Sequence, residues 1–180
     1  MVLEVLKTKA PHIPCCISFD VLPEMKEYER TSTTVINAYL LPVVSNYLAS
    51  LVRKLAEIGV NAPLLLMQSN GGLTTVEQAG RLPCHIIESG PAAGVVGAQA
   101  LSQASGIDDV VSFDMGGTTA KTSLIEKGMY SRAVEYSVGA GIMVGSRLLT
   151  GAGYRLKVPA IDLAEVGAGG GSIVWLDAGG

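Results

Sequence analysis

Residues 110–125, Val-Val-Ser-Phe-Asp-Met-Gly-Gly-Thr-Thr-Ala-Lys-Thr-Ser-Leu-Ile, constrain this chain more than any other stretch. The run opens with β-branched and aromatic side chains, the pattern of a buried strand. The chain then turns on Asp-Met-Gly-Gly-Thr-Thr and leaves as a second strand over residues 121–125. Adjacent glycines in a tight turn permit positive φ and bring backbone N–H groups close to a ligand. Successive N–H groups aimed into such a turn form an anion nest. The Thr118 and Thr119 hydroxyls add donors, and Asp114 stands at the strand end, where a carboxylate can hold a hydrated divalent metal. Those are the parts of a nucleotide-phosphate site. The same residues also make a plain Gly-Gly hairpin with a solvated aspartate, and a short glycine motif does not decide between the two.

Composition narrows the choice. A chain of 180 residues is long enough for one domain with a sizeable core. It is 48% hydrophobic and 16% charged with a net charge of −3, so it lacks the basic excess of a nucleic-acid surface. No uninterrupted apolar run reaches the roughly 18 residues of a membrane span, and no leader pattern opens the chain. The expectation is a cytoplasmic protein that binds neither nucleic acid nor membrane. Cys15, Cys16 and Cys84 are odd in number and badly spaced for disulfides or zinc, which points to buried thiols. A nucleophilic Cys84 beside His85 lacks an orienting third group. Both ends read as cut: the glycine-rich C-terminal stretch stops just after a strand-like Ser-Ile-Val-Trp-Leu, as in a fragment of a longer chain.

Along the chain, residues 1–30 read as a connecting segment containing a strand at residues 15–19. Residues 31–59 read as a helical segment, capped at Thr31 or Ser32 and kinked or split at Pro42. Val44, Tyr47, Leu48, Leu51, Leu55 and Ile58 fall on one apolar helix face, and Gly59 suits the C′ position. Residues 60–180 form the subdomain that carries the hairpin. Its parts are a buried strand at residues 63–67 ending in Gln-Ser-Asn-Gly-Gly, a short helix capped by Thr74 or Thr75, a strand at residues 84–87, and a small-residue helix entered through Glu88-Ser89-Gly90-Pro91. Glu88, just before a helix N-terminus, is either a metal-water ligand or a partner of the helix dipole. An edge strand spans residues 156–165, and residues 166–172 make a second glycine loop.

The familiar phosphate motifs are excluded. G-x-x-x-x-G-K-[S/T] is absent, and the dinucleotide motif needs a helix where this chain has a strand. Strand–turn–strand around Asp-x-Gly-Gly-Thr resembles the actin-like ATPases, in which two ribonuclease H-like halves each offer such a hairpin to ATP. Leu22-Pro23-Glu24, residues 27–34, Asn37-Ala38-Tyr39, residues 67–72, 88–94, 113–119 and 166–172 together resemble the hydantoinase A / 5-oxoprolinase / acetone carboxylase family. The resemblance runs from about residue 15 to the end and lies nearest the N-methylhydantoinase and acetone carboxylase branch. One departure stands out: many members carry Thr-Asp after Gly-Gly-Thr, and this chain has Ala120-Lys121.

The resemblance implies an α/β fold, an actin-like half-domain with a mixed sheet and flanking helices. It implies ATP and Mg²⁺ as cofactors and a hydantoinase B-type subunit or domain as partner. The implied reaction phosphorylates an amide or carbonyl oxygen, after which water opens a cyclic amide. The alternatives are a ketone carboxylase subunit and, in another class, a nucleotide-binding sensor or structural protein. Carried over by position, Asp114 is the catalytic residue and orients metal-bound water, with Glu88 as its partner at the metal. Gly116, Gly117, Thr118 and Thr119 cradle phosphate. Lys121 either neutralises phosphate or is a solvated strand residue. Gly169, Gly170 and Gly171 either approach the nucleotide or only turn the chain. With one phosphate hairpin and half a cleft, these 180 residues are not expected to turn over ATP alone.

Overall fold

The computed structural model describes residues 2–138, 153–173 and 175–176. Residues 139–152, rich in glycine, serine and valine and given no element by the sequence, lie outside the described residues.

The N-terminal segment differs from its reading. It holds helix α1 (Val2–Lys9), which buries none of its residues, and a single helical turn, α2 (Ser18–Val21), in place of the expected strand. Val21 is what α2 anchors, at 5% exposure. Helix α3 (Glu27–Glu57) starts five residues earlier than the Thr31 cap predicts; its N-cap, Lys26, makes no side-chain capping bond. Pro42 neither splits nor ends it. Thr33, Asn37, Leu41 and Leu48 form the buried stripe, while Tyr47 and Ile58 point to solvent. Gly59 follows the C-cap at φ +83°, the left-handed position expected of it. By length and composition α3 would also cross a membrane. Its stripe is polar where it meets the domain, however. Asn37 donates to the Arg81 carbonyl (3.2 Å) and accepts from the Cys84 N–H (3.3 Å), and the Thr33 hydroxyl accepts from the Lys157 N–H (3.0 Å).

Next come β1 (Leu65–Met67) and β2 (Leu73–Thr75), an antiparallel hairpin, then α4 (Val76–Arg81), capped by Thr75 through the Gln78 N–H. The expected strand at residues 84–87 is instead a 3-10 turn, Pro83–Ile86. Pro83 starts it because the ring presets φ and supplies no N–H to a ladder. Helix α5 (Ser89–Ser105) follows and ends at Gly106 with φ +67°. Strands β3 (Val110–Met115) and β4 (Ala120–Glu126) pair antiparallel in register from Val110↔Ile125 to Met115↔Ala120. Lys127 (φ +52°) and Gly128 (φ +71°) then turn the chain into β5 (Met129–Tyr130), which pairs with β4.

The remaining strands are short: β6 (Arg132–Ala133), β7 (Tyr136–Val138), β8 (Tyr154–Leu156), β9 (Ala160–Ile161) and β10 (Ala164–Val166). The single edge strand read at residues 156–165 is therefore three pieces, broken around Pro159 and again at Asp162. β10 pairs with β4 through Glu165↔Lys121, giving the sheet order β10-β4-β3. Every pairing among the described residues is antiparallel. Two small cores meet at β9. Ala160 joins Val21, Cys84, Tyr136, Leu156 and Val158, whereas Ile161 joins Ala92, Val95 and Ile125 beneath α5. Adjacent strand residues face opposite ways, so two residues tie the two cores together.

Candidate functional site

The β3–β4 turn, residues 116–119, closes with the Gly116 N–H donating to the Thr119 carbonyl (3.0 Å). Neither glycine is at positive φ, so the conformational reason expected for them does not hold. A Cβ at Gly117 would meet nothing, and one at Gly116 only the Thr119 carbonyl at 3.9 Å. The fold itself therefore makes no steric demand for glycine here; what the glycines preserve is open space beside the backbone. The N–H groups of Gly117 and Thr118 have no acceptor among the described residues. Asp114 is exposed at the strand end, and no hydrogen bond or ion pair engages its carboxylate among the described residues.

Lys121 is not a solvated strand residue. In an antiparallel ladder directly opposed residues share a face, so Asp114, Lys121 and Glu165 form one row across β3, β4 and β10. α5 lies over that face, and its N-cap residue, Glu88, reaches the row. Lys121 Nζ donates to Glu88 Oε2 at 2.9 Å and lies 3.6 Å from Glu165 Oε1. The three side chains are only 18%, 8% and 9% exposed. Glu88 is thus a buried counter-ion of Lys121. Burial raises its carboxyl above the usual range, against the opposing help of Lys121. For Lys121 burial acts to lower the ammonium, but the hydrogen bond to Glu88 and the charges of Glu88 and Glu165 prevail and raise it.

Sequence reasoning missed Glu165, because only the pairing of β10 on β4 brings it to Lys121. It also missed Tyr136 and Ser69. Glu88, Lys121, Tyr136 and Glu165 line a cavity of about 20 Å³, room for one water, where Tyr136 Oη is buried and Glu165 Oε2 has no hydrogen-bond partner among the described residues. Ser69, fully buried, is the junction of the region. Its hydroxyl accepts from the Glu88 N–H (3.1 Å), its N–H donates to the His85 carbonyl (2.8 Å), and its carbonyl accepts from the Ile161 N–H (2.7 Å). The only available hint was its place at the end of β1, where α/β folds collect polar residues.

The second glycine loop does more than turn the chain. It packs on the first: the Gly170 N–H donates to the Gly116 carbonyl (2.9 Å) and the Gly171 N–H to the Gly117 carbonyl (3.1 Å). The Gly169 N–H donates to Ser172 Oγ (3.1 Å). None of the three N–H groups is left for a nucleotide. Cys84 is fully buried and its thiol is pushed up to about 12, first by burial, so it is no nucleophile at neutral pH.

Among the described residues no cluster of three or more His, Cys, Asp or Glu could cage a metal. Mg²⁺ does not need one, since it binds through one or two carboxylates, waters and substrate phosphates. Asp114 alone fits that requirement.

This arrangement can now be set beside known proteins. Residues 30–180 match the hydantoinase/oxoprolinase family. The chain belongs to that family. A protein of Methanocaldococcus jannaschii, described only as uncharacterized protein MJ0964, is 47% identical over 98% of this chain and 26% of its own length. The caprolactamase subunit alpha of Pseudomonas jessenii is 34% identical over 97% of this chain and 23% of its own. The crystal structure of that ATP-dependent caprolactamase superposes with a TM-score of 0.68, covering 98% of this chain and 24% of the other. A nucleotide-free acetone carboxylase structure, described with ATP-dependent acetone carboxylation, reaches 0.72 at 27% identity, over 98% and 23%. The chain thus spans about a quarter of the length of these relatives. Both solved structures are described with ATP-dependent chemistry, and the α/β architecture with antiparallel strands is shared with them.

Proposed function

We propose that this chain supplies one phosphate-holding hairpin of an ATP-dependent enzyme that activates a cyclic amide for hydrolysis. The observation that carries the reading is the pair of N–H groups at Gly117 and Thr118, without acceptors among the described residues, beside an Asp114 that is likewise unpartnered among them. Phosphoryl transfer depends on positioning and charge neutralisation more than on covalent chemistry by the protein. ATP bound with Mg²⁺ would supply the phosphoryl group that activates the amide carbon toward water, so that the ring C–N bond breaks with the nitrogen as leaving group and phosphate is released afterwards. The Gly117 and Thr118 N–H groups and the two threonine hydroxyls hold phosphate oxygens, and Asp114 orients a metal-bound water. Lys121 stays with Glu88 and Glu165 and keeps the hairpin strand in place.

A cyclic amide is the preferred substrate class because the caprolactamase relative is more similar in sequence (34%) than the acetone carboxylase (27%). Ketone carboxylation is the second reading, favoured by the higher TM-score of the carboxylase. The caprolactamase relative is one subunit of its enzyme, so a partner subunit of B type belongs to the proposal.

The test is ATP-dependent ring opening of small lactams and hydantoins by the intact protein with its partner, against ketone plus bicarbonate as the second arm. Asp114→Ala should lower ATP-dependent turnover by about a hundredfold or more. It should shift stability by less than about 0.5 kcal/mol, because the residue is exposed and unpaired. Lack of saturable MgATP binding, with no effect of Asp114→Ala, would exclude the enzyme reading and leave a structural role.

A further inference from the structure

We infer that the glycine loop at residues 169–172 is a positioning device that sets the direction of the phosphate-holding N–H groups without touching the nucleotide. The inference rests on the reading of the Asp114 hairpin as a phosphate holder. A trans peptide unit is planar, and its C=O and N–H point in opposite directions. The carbonyl of Gly116 shares its peptide with the N–H of Gly117, and that of Gly117 with the N–H of Thr118. Both carbonyls are taken by the second loop, through the Gly170 N–H at 2.9 Å and the Gly171 N–H at 3.1 Å. The two N–H groups on the far side of those peptides therefore point away from the loop, side by side. A glycine-rich turn left to itself rotates its peptides at little cost, because glycine tolerates nearly all backbone angles. Two carbonyl bonds remove that freedom before any anion arrives, which is the condition for strong electrostatic binding.

Gly169 makes the docking possible. A Cβ there would fall onto the Gly117–Thr118 peptide itself, 2.7 Å from Gly117 C, 2.6 Å from Thr118 N and 2.7 Å from the Gly116 carbonyl oxygen. These are backbone atoms, so no side chain can move aside. The loop is held in turn by Ser172, whose Oγ accepts from the Gly169 N–H and whose N–H donates to the Gly169 carbonyl (2.8 Å). It is tethered one strand upstream by the Glu165–Lys121 pairing. Gly169, Gly170, Gly171 and Ser172 are accordingly positioning residues, and Gly117 and Thr118 are the donors.

The test compares wild type, Gly169→Ala and Ser172→Ala in the intact protein, by calorimetry with MgATP and by residue-resolved amide exchange. The expected result has two parts. In Gly169→Ala the Gly170 and Gly171 amides lose protection while β3 and β4 keep theirs, and MgATP affinity falls roughly tenfold or more, the worth of a hydrogen bond to a charged group. Ser172→Ala removes one hydroxyl and is expected to give a smaller loss of the same kind. If Gly169→Ala fails to fold, Ser172→Ala carries the comparison alone. Unchanged MgATP affinity in a folded variant whose loop amides have lost protection overturns the inference and leaves the proposed function standing. Failure of the wild type to bind MgATP overturns both.

Discussion

At the residue scale, Lys121 changes most between the linear and the folded reading. In the sequence it stands where the family resemblance led one to expect an acid; in the structure it neutralises two acids that no local pattern connects to it. Glu88 reaches it from the N-cap of α5 and Glu165 from β10. A buried ion pair contributes little net stability over a well-packed apolar pair, but removing one partner leaves an uncompensated charge. Lys121→Met should therefore cost about 3–5 kcal/mol, read as a lower urea midpoint. Adding Glu88→Gln and Glu165→Gln to it should recover most of that loss. A single-mutant cost below about 1 kcal/mol would mean that water screens the row. The fully buried Asn37 was legible only as a polar residue on a helix; its bonds to the Arg81 carbonyl and the Cys84 N–H were not.

At the scale of elements, the turns were more readable than the strands. Gly59 adopts the left-handed angle its C′ position suggested, and Gly106 and the Lys127–Gly128 turn are left-handed as well. The turn after β1 is the most demanding. Gly71 sits at φ +84°, and a Cβ there would meet Tyr130 Oη at 2.7 Å, Val96 Cγ2 at 3.1 Å and Ile161 Cδ1 at 3.2 Å. Strain and overpacking add, so Gly71→Ala should destabilise by about 2–4 kcal/mol, visible as a fall in melting temperature. The same change at Gly117, where a Cβ meets nothing, should leave stability nearly unchanged and affect only ligand binding. Short apolar runs were the weak point. Residues 84–87 look like a strand by composition, yet Pro83 starts a 3-10 turn over Pro83–Ile86. Periodicity does not separate the two over four residues.

At the scale of the whole molecule, one face of the sheet is covered and the other is open. α5 covers the face bearing Val110 and Ile125. On the opposite face Val111, Phe113, Met115, Leu124 and Val166 are each more than half exposed. Contiguous apolar surface of this kind marks an interaction face. The 180-residue chain should bind the dye ANS there. Phe113→Glu together with Leu124→Lys should lower the fluorescence without changing the far-UV circular dichroism. Unaltered fluorescence would place the dye elsewhere.

The sequence by itself determined the motifs and their order. Asp114 with the following glycines and threonines, bracketed by two strands, excluded the helix-opening phosphate loops, and seven separated motifs pointed to the family that residues 30–180 match. Such information is local: turn chemistry, caps and strand patterns depend on neighbours a few residues apart. The tertiary structure decided which residues meet. It put Glu165 beside Lys121, took Glu88 away from solvent, and laid the second glycine loop against the carbonyls of the first. Those contacts depend on α5 lying over β4 and on the pairing of β10 with β4, between segments far apart in the chain. Long-range pairing is set by how the whole core closes, so it leaves no pattern in either segment alone.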